Sequence, residues 1–133
     1  MKNLLFVIPF LSIISCSSPG SDQPLSGKEI YQKNCSACHQ MDGKGVGTVF
    51  PPLVNSDYLM EDPNRAIHNI LFGLSGEIKV NDQKYNGLMT PIRLNDSEII
   101  EVVNYVLKEF NNSDHKITKE DILSVRGKVN VKK

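Results

Sequence analysis

Tryptophan is absent from this chain of 133 residues, and aromatic residues of all kinds make up only 7% of it. A small chain with so few large side chains has little from which to build a core of its own. A large apolar cofactor would fill that gap. Neither sign of charge is in excess, since 15 Lys and Arg face 15 Asp and Glu. Nucleic-acid binders carry a basic surplus, so this balance argues against that class of partner. It also gives no basis for strong electrostatic steering. No apolar run is long enough to span a bilayer, and no internal repeat is visible. Cysteine is scarce, with three in the whole chain, at positions 16, 35 and 38. The length allows one domain with short flanking segments.

The N-terminal end reads as an export signal over residues 1–15. Lys2 supplies the charged start and Leu4 to Ile14 a short apolar run broken by Pro9. The run ends at Ile13-Ile14-Ser15-Cys16, which resembles the lipobox of bacterial lipoproteins, with Ile in place of the usual leading Leu. On that reading Cys16 becomes the acylated N-terminus. Each buried CH₂ of its chains contributes about 0.8 kcal/mol to membrane attachment. Acylation would also account for the odd cysteine, leaving Cys35 and Cys38 as a pair. By analogy with other lipoproteins, Ser17 slightly favours sorting to the outer membrane over retention at the inner. Residues 16–26, rich in Ser, Pro and Gly, are expected to form a flexible tether.

Residues 27–110 are expected to form the folded domain. Ser26 is a plausible N-cap for a short helix from Gly27 to Asn34. Met41 to Thr48 is Gly-rich loop, Ser56 to Met60 a single turn, and Asn64 to Phe72 a helix closed by Gly73. Ile78-Lys79-Val80 and Gln83-Lys84-Tyr85 flank Asn81-Asp82 as a small hairpin. The clearest element is the last helix of the domain. Asn95 and Glu98 form a capping box, and Ile99, Val102, Val103, Val106, Leu107 and Phe110 recur at helical spacing. Residues 111–133 read as a polar tail, with a possible short helix from Lys119 to Val125.

Cys35-Ser36-Ala37-Cys38-His39 is a C-x-x-C-H sequence, the pattern of c-type haem attachment. Two thiols add across the two vinyl groups of one haem, so they must lie on neighbouring edges of one turn. The adjacent His is then held as a fixed axial ligand to the iron. A thioredoxin-like redox pair would need a preceding strand in a βαβ unit, whereas a short helix precedes this motif. A structural zinc site would need a second ligand pair, and His68 and His115 do not supply one at ligand spacing. His68 reads as a solvated residue and His115 as part of the tail. Metal-bound imidazole also needs a partner for its other ring nitrogen, and a carbonyl of Pro51 or Pro52 is the expected acceptor.

With these residues in view, the chain from Gly27 to Phe110 resembles a class I c-type cytochrome. The resemblance rests on Gly27 and Tyr31, the Cys35–His39 motif, Pro51-Pro52-Leu53, Asn86-Gly87-Leu88-Met89, and the final helix with Tyr105. It implies an all-α fold of about four helices around one haem c, with the hairpin as a small β insert. It implies that the second axial ligand is a Met in a loop before the last helix. Met89 lies fifty residues beyond His39 and fits that place, with Met60 as the alternative and a gap-filling core role as the other reading of Met89. Thr90 separates Met89 from Pro91, where the family usually has Pro directly after the ligand. Pro51 is the carbonyl the resemblance favours for His39. Gly27 and Tyr31 would meet the last helix near Val102 and Tyr105.

The hairpin resembles that of cytochrome domains found beside respiratory reductases and oxidases. The expected function is therefore extracytoplasmic electron transfer, on the periplasmic side of a bacterial membrane and lipid-anchored at Cys16. The protein would act as a monomer or a loosely bound subunit, passing electrons to or from a respiratory reductase or oxidase. The alternative is an accessory or sensor haem subunit of a larger membrane complex. An enzyme such as a peroxidase would need an open iron site, which Met89 would close.

Overall fold

The computed structural model describes residues 23–130. The expected export signal and Cys16 lie outside them. Six helices and one hairpin follow in the order α1 Gly27–Asn34, α2 Ser36–His39, α3 Asp57–Glu61, α4 Asn64–Phe72, β1 Leu74–Val80, β2 Gln83–Met89, α5 Asp96–Asn111 and α6 Lys119–Asn130. The fold is all-α with a small antiparallel insert. Two of its helices, α2 and α3, are little more than single turns.

Local sequence sets the helix starts. Ser26 and Glu29 form a reciprocal capping box on α1, and Asn95 and Glu98 do the same on α5. Each box satisfies two backbone N–H groups that a helix start leaves open. Ser56 caps α3 through its side chain, and α5 ends at Asn112 in the left-handed region. The hairpin turns at Asn81-Asp82, where both residues have positive φ, as a tight two-residue turn of the primed type requires. The sequence places the hairpin from Gly76 through Tyr85 and on to Met89, and the first strand begins two residues earlier, at Leu74. Pairing extends from Val80↔Gln83 to Leu74↔Met89, so Met89 ends a strand rather than lying in a loop.

The core is built where α1 crosses α5. Ile30 and Tyr31 on α1 are fully buried against the Ile99, Val102, Val103, Val106, Leu107 and Phe110 face of α5. Gly27 makes this approach possible. A Cβ there would lie 2.2 Å from the Glu101 carbonyl oxygen and 2.8 Å from Tyr105 Cβ. One turn on, the Tyr31 ring sits 5.7 Å from Tyr105 and 5.1 Å from Phe110, the latter edge to face.

The segment after Phe110 belongs to the same core. Ile117, Ile122 and Val125 are buried, and α6 packs on both α4 and α5. The Asn104 side chain supports the turn into it, accepting from Ile117 N–H at 2.7 Å and donating to the Ile117 carbonyl at 3.2 Å. Arg126 adds an ion pair to Asp96 at 2.8 Å. Only Ile122 and Val125 on the helix, with Ile117 just before it, enter the core, too few to give a periodic signal.

Two stability predictions follow from this packing. Gly27→Ala forces Cβ into the α5 backbone and is expected to cost about 1–3 kcal/mol. Ile122→Ala removes a fully buried side chain from α6 and is expected to cost about 2–5 kcal/mol. Thermal unfolding followed by far-ultraviolet circular dichroism reads both. An unchanged midpoint for Ile122→Ala would show that α6 is not part of the cooperative fold.

Candidate functional site

The single turn of α2 carries the motif. Cys38 N–H and His39 N–H both donate to the Cys35 carbonyl, at 3.2 and 2.9 Å, so Cys35, Cys38 and His39 lie on one face at i, i+3 and i+4. Tyr31 pins the turn from α1, its hydroxyl donating to the Gln40 carbonyl at 2.7 Å. Desolvation pushes the Tyr31 hydroxyl pKa above its ordinary value, so it stays a donor. Cys35 and Cys38 are not joined in a disulfide. Burial, with Cys38 beside it, pushes Cys35 up to about 11.

His39 Nδ1 lies 2.9 Å from the Pro51 carbonyl oxygen. A carbonyl can only accept, so Nδ1 carries the proton and Nε2 keeps its lone pair free. Burial lowers the His39 pKa from its ordinary value, and the bond to Pro51 works in the opposite direction. The ring is held neutral, in the tautomer that can ligate a metal through Nε2.

These residues open onto a cleft of about 350 Å³ with a mainly apolar lining. Cys35, Cys38 and His39 form one part of its wall, Pro51 to Leu53 another, and Val102, Val103 and Val106 of α5 its back. The hairpin supplies a further wall. Alternate residues share a face of a strand, and register places Leu74 across from Met89, Gly76 from Gly87 and Ile78 from Tyr85, all lining the cleft. Ser75, Glu77 and Lys79 point the other way.

Of the methionines among the described residues, Met89 lines this cleft. Met60 stands on α3, 41% exposed, and Met41 is more exposed still; neither lines it. His68 is exposed and lies tilted against Phe72, with ring centroids 5.2 Å apart, and His115 is exposed in the turn before α6. Neither reaches the cleft. Among the described residues no group of three or more His, Cys, Asp or Glu side chains gathers to hold a metal ion.

The cleft fits a haem. Its lining is apolar, two thiols stand at its edge at attachment spacing, and a neutral imidazole offers Nε2. The hairpin wall is bare at its middle. A Cβ on Gly76 would meet nothing within 4 Å, and one on Gly87 only the Val49 carbonyl oxygen at 3.6 Å. Gly76 also holds φ +95, which side-chain-bearing residues rarely adopt. Paired glycines on the cleft face of a hairpin leave room for a flat group to lie close to the backbone. The sequence alone points to Gly87, just before Met89, as a place where backbone can approach the haem closely, but not to Gly76, its partner across the strands. It also passed over Ser56 and Asn69, two buried polar side chains in the cleft wall.

A family model for Cytochrome c matches residues 25–109. Cytochrome c-552 of Thermus thermophilus is 39% identical over 85 residues, covering 60% of this chain and 64% of that protein. The cytochrome c subunit of a quinone-dependent alcohol dehydrogenase from Gluconobacter oxydans is 32% identical over 106 residues, covering 76% of this chain and 22% of the relative. The fructose dehydrogenase cytochrome subunit of Gluconobacter japonicus is 30% identical over 126 residues, covering 86% and 26%. The chain thus spans less than two thirds of the length of these relatives. With the C-x-x-C-H turn at the lip of an apolar cleft, the chain belongs to the cytochrome c family, as a class I c-type cytochrome with one haem c attached through Cys35 and Cys38.

Proposed function

We propose that the protein is an electron carrier outside the bacterial cytoplasm, passing single electrons to or from a respiratory reductase or oxidase, with His39 and Met89 as the axial ligands. One observation carries this reading: the motif on α2 and Met89 on β2 line the same apolar cleft. Haem c supplies a one-electron iron couple when bound. The residues around it do the rest. Pro51 holds His39 in the ligating tautomer. Met89, a soft and neutral donor, favours reduced iron and raises the potential. The apolar walls would shield the group from water, and His39 and Met89 together would leave no open iron position for a substrate.

The relatives in the two dehydrogenases support a second reading, an accessory haem subunit fixed in a larger membrane complex. Purification from native membranes in mild detergent separates the two. A shuttle leaves the column as a monomer, and a subunit leaves with its complex. The anchor proposed at Cys16 rests on the lipobox-like Ile13-Ile14-Ser15-Cys16. No helix among the described residues is long and apolar enough to cross a membrane.

Two variants test these assignments. Met89→Ala should abolish the weak sulfur-to-iron charge-transfer band at the red end of the oxidised spectrum and lower the reduction potential. Carbon monoxide, which the parent should refuse, should then bind. Met60→Ala should do none of these, and a closed iron in Met89→Ala would sink the ligand assignment. Cys16→Ser should move the protein from the membrane to the soluble periplasmic fraction with an unchanged haem spectrum. Retention in the membrane pellet would refute the anchor.

A further inference from the structure

The hairpin that ends in Met89 is a two-stranded ribbon, and such ribbons are marginal unless something else holds them. At its base the chain is held by α4. Ile92 N–H donates to the Ile70 carbonyl at 2.8 Å, and the Met89 carbonyl oxygen lies close above Gly73. At its tip it is held by a reciprocal pair. Asn81 N–H donates to Asp57 Oδ1 at 2.7 Å, and Asp57 N–H donates to Asn81 Oδ1 at 3.1 Å. Among the described residues, these two hydrogen bonds alone join the strands or their turn to another element.

Asp57 is itself fixed. The preceding Ser56 N–H donates to Asn111 Oδ1 at 2.8 Å, and Asn111 Nδ2 donates to the Leu53 carbonyl at 2.9 Å. Asn55 N–H donates to the Phe110 carbonyl at 3.0 Å. The stretch from Pro51 to Asp57 is therefore bolted to the end of α5. Its first residue accepts the hydrogen bond from His39 Nδ1–H, and its last holds the tip of the hairpin whose final residue is Met89.

We propose that Asp57 and Asn81 are positioning residues, a latch between the N-terminus of α3 and the hairpin tip that keeps the hairpin wall closed on the cleft and so holds Met89 in place. The inference rests on Met89 as axial ligand. The latch acts at the end of the ribbon opposite Met89, so the whole hairpin works as a lever. With the tip bound, the ribbon swings neither at its turn nor at its base. With the tip free, the stretch from Leu74 to Met89 keeps only its base attachment and its apolar face.

The test uses the full-length holoprotein. Asn81→Gly removes the side-chain acceptor while keeping a residue that adopts the observed φ of 49. Asp57→Ala removes the carboxylate, and Asp57→Asn keeps an acceptor oxygen in its place. Entry of added imidazole into the oxidised protein reads the opening of the Met89 side. Hydrogen exchange at the amides of Ile78 and Tyr85 reads the hairpin without reference to the iron. Asn81→Gly and Asp57→Ala should each speed both by about fivefold, the factor that one lost hydrogen bond of ordinary worth accounts for. The double variant should add little to either single one, because the pair acts as a unit. Asp57→Asn should stay near the parent. Parental rates in Asn81→Gly and Asp57→Ala overturn the latch, even if their melting points fall. Equal acceleration in Asp57→Asn overturns the hydrogen-bond assignment. If exchange quickens in the latch variants while Met89→Ala leaves imidazole entry unchanged, the latch exists but the ligand reading fails, and the inference that it positions a ligand fails with it.

Discussion

The close crossing of α1 over α5 is the contact on which the rest of this protein depends. It is permitted by one missing side chain, at Gly27, and filled one turn later by the largest fully buried one, Tyr31. Tyr31 touches Tyr105 and Phe110 through its ring and the Gln40 carbonyl through its hydroxyl. The same residue therefore belongs to the helix crossing and to the turn that carries Cys35, Cys38 and His39. Packing in the core and placement of the haem-bearing turn are one event, so a change at the crossing is felt at the site.

From that turn the structure builds outward by satisfying polar groups in apolar surroundings. A partly buried imidazole with an unmet N–H would be costly, and the Pro51 carbonyl meets it. The segment that presents Pro51 must then be held, and Asn111 and the end of α5 hold it through side-chain and backbone hydrogen bonds. α5 thus contributes twice, its apolar face to the back of the cleft and its last residue to the loop that orients His39. The surface outside this frame is laced with exposed ion pairs such as Asp42–Lys44, Glu77–Lys84 and Lys79–Asp82. Pairs of that kind add little stability. They leave a locally balanced surface, in keeping with the absence of net charge.

The hairpin gives this small chain a wall it could not make from helices of this length. Its cleft face reads Leu, Gly, Ile, Val on β1 and Tyr, Gly, Met on β2, apolar at the ends and bare in the middle. Its outer face is mostly polar, with Leu88 as an exposed exception. The same wall therefore presents Met89 and leaves room beside it.

What the sequence determined by itself was local. The capping boxes at Ser26 and Asn95, the helix from Asn64 to Phe72, the Asn81-Asp82 turn and the C-x-x-C-H attachment site are each written within a few consecutive residues. They are readable because hydrogen bonds and covalent attachment over that span need no distant partner. What only the tertiary structure decided depends on residues far apart in the chain. Strand register turned Met89 and the Gly76 and Gly87 pair toward the cleft, and the placement of α3 left Met60 outside it. The length of the strands came from cross-strand pairing, which no single strand encodes. The docking of α6 rests on three apolar side chains whose partners lie on α4 and α5. The bonds from Asn111 to Ser56 and Leu53, and from Asp57 to Asn81, join polar residues that look like ordinary surface positions in sequence. A side-chain amide or carboxylate acquires such a role only when the fold delivers an unpaired backbone group to it, and spacing along the chain says nothing about which group that will be.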